Sequence, residues 1–281
     1  MSGTLYIVAT PIGNLSDLTP RAAQTFEQVD FIAAEDTRVT LKLLNHLGIK
    51  KPMVSYYEHN LEERGDQILA RIEAGESCAL CSDAGMPAVS DPGELIVKDA
   101  HARGIRVVPV PAASAAVTAL CVSGQVTGRW VFEGFLPTNR RQKKERLDAL
   151  QNEERTVIFY EAPHKLTTTL EDLEKAFGPD RSLTICRELT KLHEEVRVTT
   201  VGQANAYYRE NPPRGEFVLV MAGAAPKVPE EMTLEDAVDF ALQKMEEGMS
   251  ATAAAKAAAA ASPFSKSEIY KACIEKGDEH E

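Results

Sequence analysis

The sequence predicts an α/β protein: two successive α/β domains followed by a small helical extension. Three observations carry this expectation. Between Leu5 and Met221, apolar runs of strand length alternate with stretches of helical periodicity. Turns rich in Gly, Pro, Asp and Ser separate them. Beyond Met221 the strand signal stops and an alanine-rich helical stretch takes over. The shifts place the domains at 1–121, 122–226 and 227–281, and 281 residues are enough for cores of that size.

In the first domain, Leu5 to Ala9 is an apolar run that stops at Thr10-Pro11-Ile12-Gly13-Asn14. Thr19 before Pro20 reads as an N-cap with proline at the first helical position, where its missing N–H costs nothing. Phe31 to Ala34 ends in Glu35-Asp36-Thr37-Arg38, and Leu41, Leu44 and Leu47 follow at helical spacing. Asn60 opens an amphipathic helix carrying Leu61, Ile68, Leu69 and Ile72. Cys78 to Cys81 closes in Ser82-Asp83-Ala84-Gly85-Met86-Pro87; a helix from Pro92 to Arg103 then leads to Ile105–Val110 and Pro111. Four rounds of strand, loop and helix predict a mostly parallel sheet, because parallel neighbours need a crossover between them.

The alternation restarts near Gly124. Trp130–Phe135, Thr156–Tyr160, Leu183–Cys186 and Phe217–Met221 read as strands; Arg141–Leu150, Pro163–Phe177 and a segment near Ala204 read as helices. Pro226–Glu231 has linker composition. Ala253–Ala261 is helical, Ser262-Pro263 breaks it, and Ser265-Lys266-Ser267-Glu268 is a capping box opening a last helix through Tyr270 and Ile274. Two short helices and a tight turn suit either a helix-turn-helix or an appendage covering a domain edge.

Composition narrows the function. Against 31 Lys and Arg stand 42 Asp and Glu, a net charge of −11, which excludes coating nucleic acid through bulk charge and leaves room only for a local basic patch. No apolar run approaches the length of a membrane span. Five irregularly spaced cysteines and an N-terminus without a basic, signal-like segment predict a cytoplasmic protein.

Ligands of an open parallel sheet bind at the carboxyl ends of its strands. Here those ends are Thr10–Asn14, Glu35–Arg38, Ser82–Pro87 and Pro111–Ala115, whose small and polar residues let backbone approach a ligand. The G-x-G-x-x-G fingerprint, the G-x-x-x-x-G-K-[ST] loop and the G-x-S-x-G elbow are all missing. His193-Glu194 lacks the second histidine of H-E-x-x-H, and Cys78 and Cys81, three apart on a strand, point to opposite faces, so no metal site is expected. What remains is group transfer without a metal or a covalent nucleophile.

Six segments carry a resemblance. Leu5–Leu15, Ala34–Arg38, Ser82–Gly85, Glu133–Pro137, Phe159–His164 and Arg187–Lys191, taken in order, resemble the tetrapyrrole methylase superfamily, and within it the family of bacterial small-subunit ribosomal RNA methyltransferases I. Met86 stands where that family usually has Thr, and Pro111-Ala112-Ala113-Ser114-Ala115 replaces a Pro-Gly-Pro start. The resemblance implies two α/β domains with S-adenosylmethionine in the cleft between them, a homodimer, and 2′-O-methylation of a cytidine in the decoding region of 16S ribosomal RNA, free or in the 30S subunit. It assigns Pro11, Ser82, Asp83, Ala84, Gly85, Met86, Pro111, Ser114 and Ala115 to the cofactor, with Phe159, Tyr160, Arg187, Glu188 and Leu189 closing over it. Gly13, Asn14, Asp36, Thr37 and Arg38 would face the acceptor.

A ribose hydroxyl is a weak acid, so a proton acceptor should assist. Asp36 is the leading candidate, with Glu35, Glu161 and Lys191 as alternatives; its competing role is to anchor Arg38 or cap a helix. Arg140, Arg141, Lys143 and Lys144 concentrate positive charge suited to phosphate, with Arg140, Lys143 and Lys144 on one helix face. Tyr56, Tyr57 and His59 are candidates for stacking an extruded base. Two other readings share the fold: a methyltransferase acting on a tetrapyrrole or a protein side chain, and a non-catalytic RNA-binding assembly factor.

Overall fold

The computed structural model describes residues 2–225 and 232–278. The proposed linker Pro226–Glu231 lies outside the described residues. By internal packing the chain divides into two compact units, Met1–Ala224 and Ala225–Glu281.

Among the described residues the first unit holds two five-stranded sheets. The first lobe runs β1 (Thr4–Val8), a 3₁₀ turn (Leu15–Asp17), α1 (Pro20–Gln28), β2 (Phe31–Ala34), α2 (Thr37–Leu47), β3 (Met53–Ser55), α3 (Leu61–Glu73), β4 (Cys78–Cys81), α4 (Glu94–Ala102) and β5 (Arg106–Val110). All its strand pairs are parallel, in the order β3-β2-β4-β1-β5. Helices cover both faces, so β2 and β4 are buried at every residue and read as unbroken apolar runs. Cys78 enters the core on one face with Leu5, Phe31 and Ile68; Cys81 enters the other with Val8, Phe26 and Leu44. The two thiols therefore diverge, as strand alternation requires.

Local chemistry sets the helix ends. Thr19 accepts the Ala22 N–H at 3.1 Å with Pro20 in the first turn, and Gly48 stops α2 in the left-handed region at φ +70°. The helix expected from Pro92 starts instead at Glu94, because Gly93 at φ +148° is incompatible with a helical turn.

A further helix, α5 (Ala115–Val122), leads into the second lobe: β6 (Trp130–Phe135), α6 (Arg140–Ala149), β7 (Thr156–Glu161), α7 (Pro163–Phe177), β8 (Ser182–Arg187), β9 (Glu195–Thr200), α8 (Val201–Glu210) and β10 (Phe217–Met221). Its sheet is mixed, ordered β6-β7-β10-β8-β9, with only β6 and β7 parallel. One face packs Leu166, Leu170 and Leu173 of α7 and Ala204 of α8 against Phe159, Ile185 and Leu219. The other face takes Ala116, Ala119 and Leu120 of α5, together with Ile12 from the turn after β1. The lobes thus share a core.

The second unit comprises, among the described residues, α9 (Leu234–Glu246), α10 (Ala251–Ala261) and α11 (Lys266–Asp278). Ala254, Ala255 and Ala258 are fully buried against Ala237, Val238 and Ala241, small side chains that let the helices approach closely. The Ser265–Glu268 capping box is formed in both directions, at 2.8 and 3.3 Å.

Candidate functional site: a cavity between the lobes

The carboxyl ends of the parallel strands open onto a cavity of ≈ 540 Å³, within the roughly 300–1,000 Å³ of small-molecule sites. The first lobe supplies Ile12, Glu35, the Asp83–Met86 turn, Val89–Asp91, Ser114 and Ala115. The second supplies Phe135, Tyr160–His164, Cys186, Leu189 and Glu216–Val218, from the ends of β6, β7 and β8 and the start of β10. Antiparallel pairing puts the start of β10 there: Phe217 lies opposite both Glu161 and Arg187.

Backbone chemistry welds the loops. Thr10 and Gly85 exchange N–H···O bonds of 2.9 and 3.0 Å, and the Thr10 hydroxyl donates to the Ser82 carbonyl at 3.1 Å. Gly85 is at φ +84°, a conformation that favours glycine, and an added Cβ would press on Ile12, which also lines the cavity. The loops after β2 and β4 are tied reciprocally: the Asp36 N–H donates to Asp83 Oδ1 at 3.1 Å, and the Asp83 N–H to Glu35 Oε2 at 3.2 Å.

Close approaches then join the lobes. The Ala116 N–H, in the first turn of α5, donates to the Tyr160 hydroxyl at 3.0 Å. Gly134, at φ +61° beside a register shift in β6, sits where a Cβ would come within 2.9 Å of Ser90 Oγ. At Gly13 a Cβ would lie 2.5 Å from Lys191 Cγ and 2.9 Å from Thr190 Oγ1. Ala88, Ser90, Glu188 and Thr190 hold positive φ without being glycine, with Ala88 and Ser90 on the first lobe's cavity loop and Glu188 and Thr190 on the second lobe's 187–191 segment. Such conformations cost about 1–3 kcal/mol each and persist only where surroundings enforce them.

Three carboxyls ring the first-lobe side. Burial raises the Glu35, Asp83 and Asp91 carboxyls above their usual range; for Asp91, burial and then the neighbouring Glu35 charge push it up to about 6. Glu161 is nearly fully buried and has both oxygens occupied, one by the Ala162 N–H at 2.8 Å and one by the Thr169 hydroxyl at 2.5 Å. It anchors the start of α7, and both bonds compete with any role as acceptor of a substrate proton. Lys191 Nζ is held by Glu188 Oε1 and Glu216 Oε2, both at 2.9 Å, and its pairing keeps the amine cationic despite burial.

Of the residues the sequence pointed to, Asp83, Ala84, Gly85, Met86, Ser114, Ala115, Tyr160 and Leu189 line the cavity. Pro11, Ser82, Pro111, Phe159, Arg187 and Glu188 do not. Phe159 is corrected most clearly: it alternates with Tyr160 on β7, so its ring enters the opposite, fully buried core. Arg187 donates to the Arg214 carbonyl at 2.6 Å, and Ser82 is buried beneath the turn.

Gly13, Asn14, Thr37 and Arg38 lie outside the cavity lining, and Asn14 accepts the Ser16 N–H at 3.0 Å to cap the 3₁₀ turn. Asp36 takes its alternative role. It caps α2 through the Arg38 N–H at 2.8 Å and grips the Arg38 guanidinium through both oxygens, which holds its carboxyl down at about 2. A carboxylate so held is a poor proton acceptor.

The basic run on α6 is also mostly spent. Arg141 pairs with Glu145, Lys144 with Asp148, and Lys143, largely buried, with Asp172 on α7. Lys143 therefore faces the protein rather than sharing an outward face with Arg140, which forms no ion pair among the described residues. Tyr56 is buried and unsuited to stacking, whereas Tyr57 is exposed. Asp91 and Ser90 went unread, because Ser90-Asp91-Pro92-Gly93 resembles the punctuation before a helix; the paired turn formers were the signal available.

Two α/β lobes that close strand-end turns over one small-molecule cavity define a bilobed group-transfer enzyme of the methylase type. The family model for Tetrapyrrole (Corrin/Porphyrin) Methylases matches residues 4–205, and the chain belongs to that family. Among its relatives is Ribosomal RNA small subunit methyltransferase I of Synechocystis sp., 46% identical over 273 residues that span 97% of this chain and 98% of that protein. The Bacillus subtilis protein of the same name is 44% identical over 277 residues, covering 96% of this chain and 94% of its own. Solved structures share the fold. Uroporphyrin-III C-methyl transferase from Thermus thermophilus, complexed with S-adenyl homocysteine, superposes with a TM-score of 0.56 at 15% identity over 78% of this chain and 97% of that one. A diphthine synthase gives 0.59 at 13% identity, over 78% and 90%.

Proposed function

We propose that this chain transfers the methyl group of S-adenosylmethionine to the ribose 2′-oxygen of a cytidine in the decoding region of 16S ribosomal RNA. The observation that carries the reading is the near-full-length likeness to ribosomal RNA small subunit methyltransferases I. The cavity suits the donor in size and chemistry. Ile12, Met86 and Leu189 offer an apolar lining, and Asp83 and Glu35 place negative charge beside a cationic ligand. When bound, the donor supplies an electrophilic methyl group whose bond to sulfur breaks with the electron pair left on sulfur.

The chain's own residues bind, orient and exclude water. An apolar lining favours a reaction in which positive charge disappears, and fixed loops reduce the entropy cost of alignment. On this reading residues 1–121 serve the acceptor and part of the donor site, 122–226 close over the donor, and 227–281 form a helical extension that contacts RNA. The chain works as a cytoplasmic homodimer on 16S ribosomal RNA or the 30S subunit.

The test is incubation with methyl-labelled S-adenosylmethionine and 30S subunits, in parallel with uroporphyrinogen, followed by ribose-methylation mapping. Label at one cytidine of the decoding region is expected. Label only on the macrocycle, or none on either, would sink the reading.

A further inference from the structure

Beside the donor cavity lies a second one of ≈ 770 Å³, between the 57–61 loop and the start of α4. The two share Glu35, Ser90 and Asp91 as a common wall. Groups resting in the two cavities would therefore both border on these three residues.

Its outer lining is aromatic. Tyr57 is 42% exposed and meets His59 edge-on, with ring centroids 6.1 Å apart and planes at 87°. Two rings at a right angle form a corner that accepts a planar group, stacked on one ring and touching the edge of the other. Asn60 locks the loop that presents them. Its side chain accepts the Tyr57 N–H at 2.9 Å and donates to the Ser55 carbonyl at 3.2 Å, and its own N–H donates to the Tyr57 carbonyl at 2.9 Å. The corner is preformed.

Its charge is acidic. Glu58 and Glu94 join Glu35 and Asp91, with Lys98 the only lysine or arginine in the lining. Such a groove repels phosphodiesters, so a nucleotide can enter only as base and sugar with its phosphates held outside. Carboxylate acceptors suit a base that offers an exocyclic amine, as the cytosine of the proposed substrate does.

We infer that this groove is the acceptor-nucleoside subsite, taking a cytosine base against Tyr57 and His59 and presenting its 2′-hydroxyl to Asp91 at the shared wall. The inference deepens the proposed function and rests on it. As the new O–C bond forms at O2′, the O–H bond breaks and its proton passes to the Asp91 carboxylate, then to solvent; the electron pair from that bond stays on oxygen. Asp91 is thus assigned as the catalytic base, in place of Asp36.

The test uses the full chain, 30S subunits in initial-rate kinetics, and calorimetric binding of S-adenosylhomocysteine. Combined Tyr57→Ala and His59→Ala is expected to raise KM for 30S subunits about tenfold, the order lost with one base stack, while leaving S-adenosylhomocysteine affinity unchanged. Tyr57→Phe, which keeps the ring, retains the wild-type KM. Asp91→Asn lowers kcat by roughly 10²-fold or more with KM and S-adenosylhomocysteine affinity retained. Should the double variant fail to melt cooperatively, His59→Ala alone and Tyr57→Leu alone replace it, each expected to raise KM.

An unchanged KM in the folded aromatic variants, or an unchanged kcat in Asp91→Asn, overturns the subsite while the proposed function stands. Wild-type protein that binds S-adenosylhomocysteine yet labels no 16S cytidine overturns both.

Discussion

At the scale of single residues, two carboxylates of the first lobe are driven in opposite directions by their surroundings. Asp36 is held down by Arg38 and stays ionised, whereas Asp91 is pushed up to about 6 by burial and by Glu35. A base near 6 is half-ionised just below neutral pH, where proton transfer is most effective. The charged or titratable groups around it come from several elements: Glu35 after β2, Asp83 after β4, Tyr160 on β7, Glu58 and His59 in the 57–61 loop, and Glu94 and Lys98 on α4. The pH–rate profile at saturating 30S subunits should therefore show an acid limb centred near 6. That limb should persist in Asp36→Asn and His59→Ala and vanish in Asp91→Asn.

Linkage fixes the accompanying stability change. The Asp91 carboxyl lies near 6 in the fold against 3.8 for an unperturbed group, so the folded state holds the proton more tightly. Ionising it costs stability progressively as pH rises through that window, and the cost is fully present above it. Asp91→Asn should accordingly melt higher than wild type at pH 7.5, with the difference shrinking toward pH 4; a lower melting temperature at pH 7.5 would contradict the burial argument. The loops bearing Asp83 and Gly85 were legible because strand-end turns announce themselves. Asp91 was not, because the sequence of a turn does not reveal which of its side chains will be turned inward.

At the scale of elements, the bulge of β6 matters most. Gly134 combines φ +61° with a close approach to Ser90, so two constraints fall on one residue. Gly134→Ala should cost about 1–2 kcal/mol from the backbone alone. It should also displace the 88–91 loop, weakening S-adenosylhomocysteine binding about tenfold by calorimetry; wild-type affinity would show that the loop does not depend on this contact. On α6, Arg140→Glu should weaken RNA binding uniformly and reduce the salt slope by about 1. Lys144→Glu should do less, because Lys144 is neutralised within its own helix by Asp148.

Pattern and period found most strands and helices, but β3 and β9 were unread. β3 is three half-buried residues at a sheet edge, too short for any period to register. β9, Glu195–Thr200, alternates charged and β-branched residues on the outer edge of the second sheet, which resembles a polar loop. Strand pairing was also invisible. Nothing local in Phe217–Met221 states that it runs antiparallel between β7 and β8, since that order is settled by which faces find partners.

At the scale of the whole molecule, a net charge of −11 must be reconciled with an RNA substrate. The paired state of α6 sharpens the problem, because most of its cations are already answered by the chain's own acids. Affinity should then depend on salt only shallowly. With one to two phosphates neutralised, log K against log salt concentration should fall with a slope of about −1, measurable by anisotropy on a 16S fragment; a slope several times steeper would require a basic surface not identified on these helices. Binding would rest instead on shape and on insertion of a nucleoside, which suits the proposed action on one sugar of a large RNA.

The bare α-carbon of Gly13 has a consequence of its own. Where the turn after β1 nests against the stem of Lys191, there is no room for one more carbon atom. A methyl group added there would act as a wedge, driving the Lys191 stem or the turn itself out of place, and so offers a chemically minimal way to loosen the seam between the lobes.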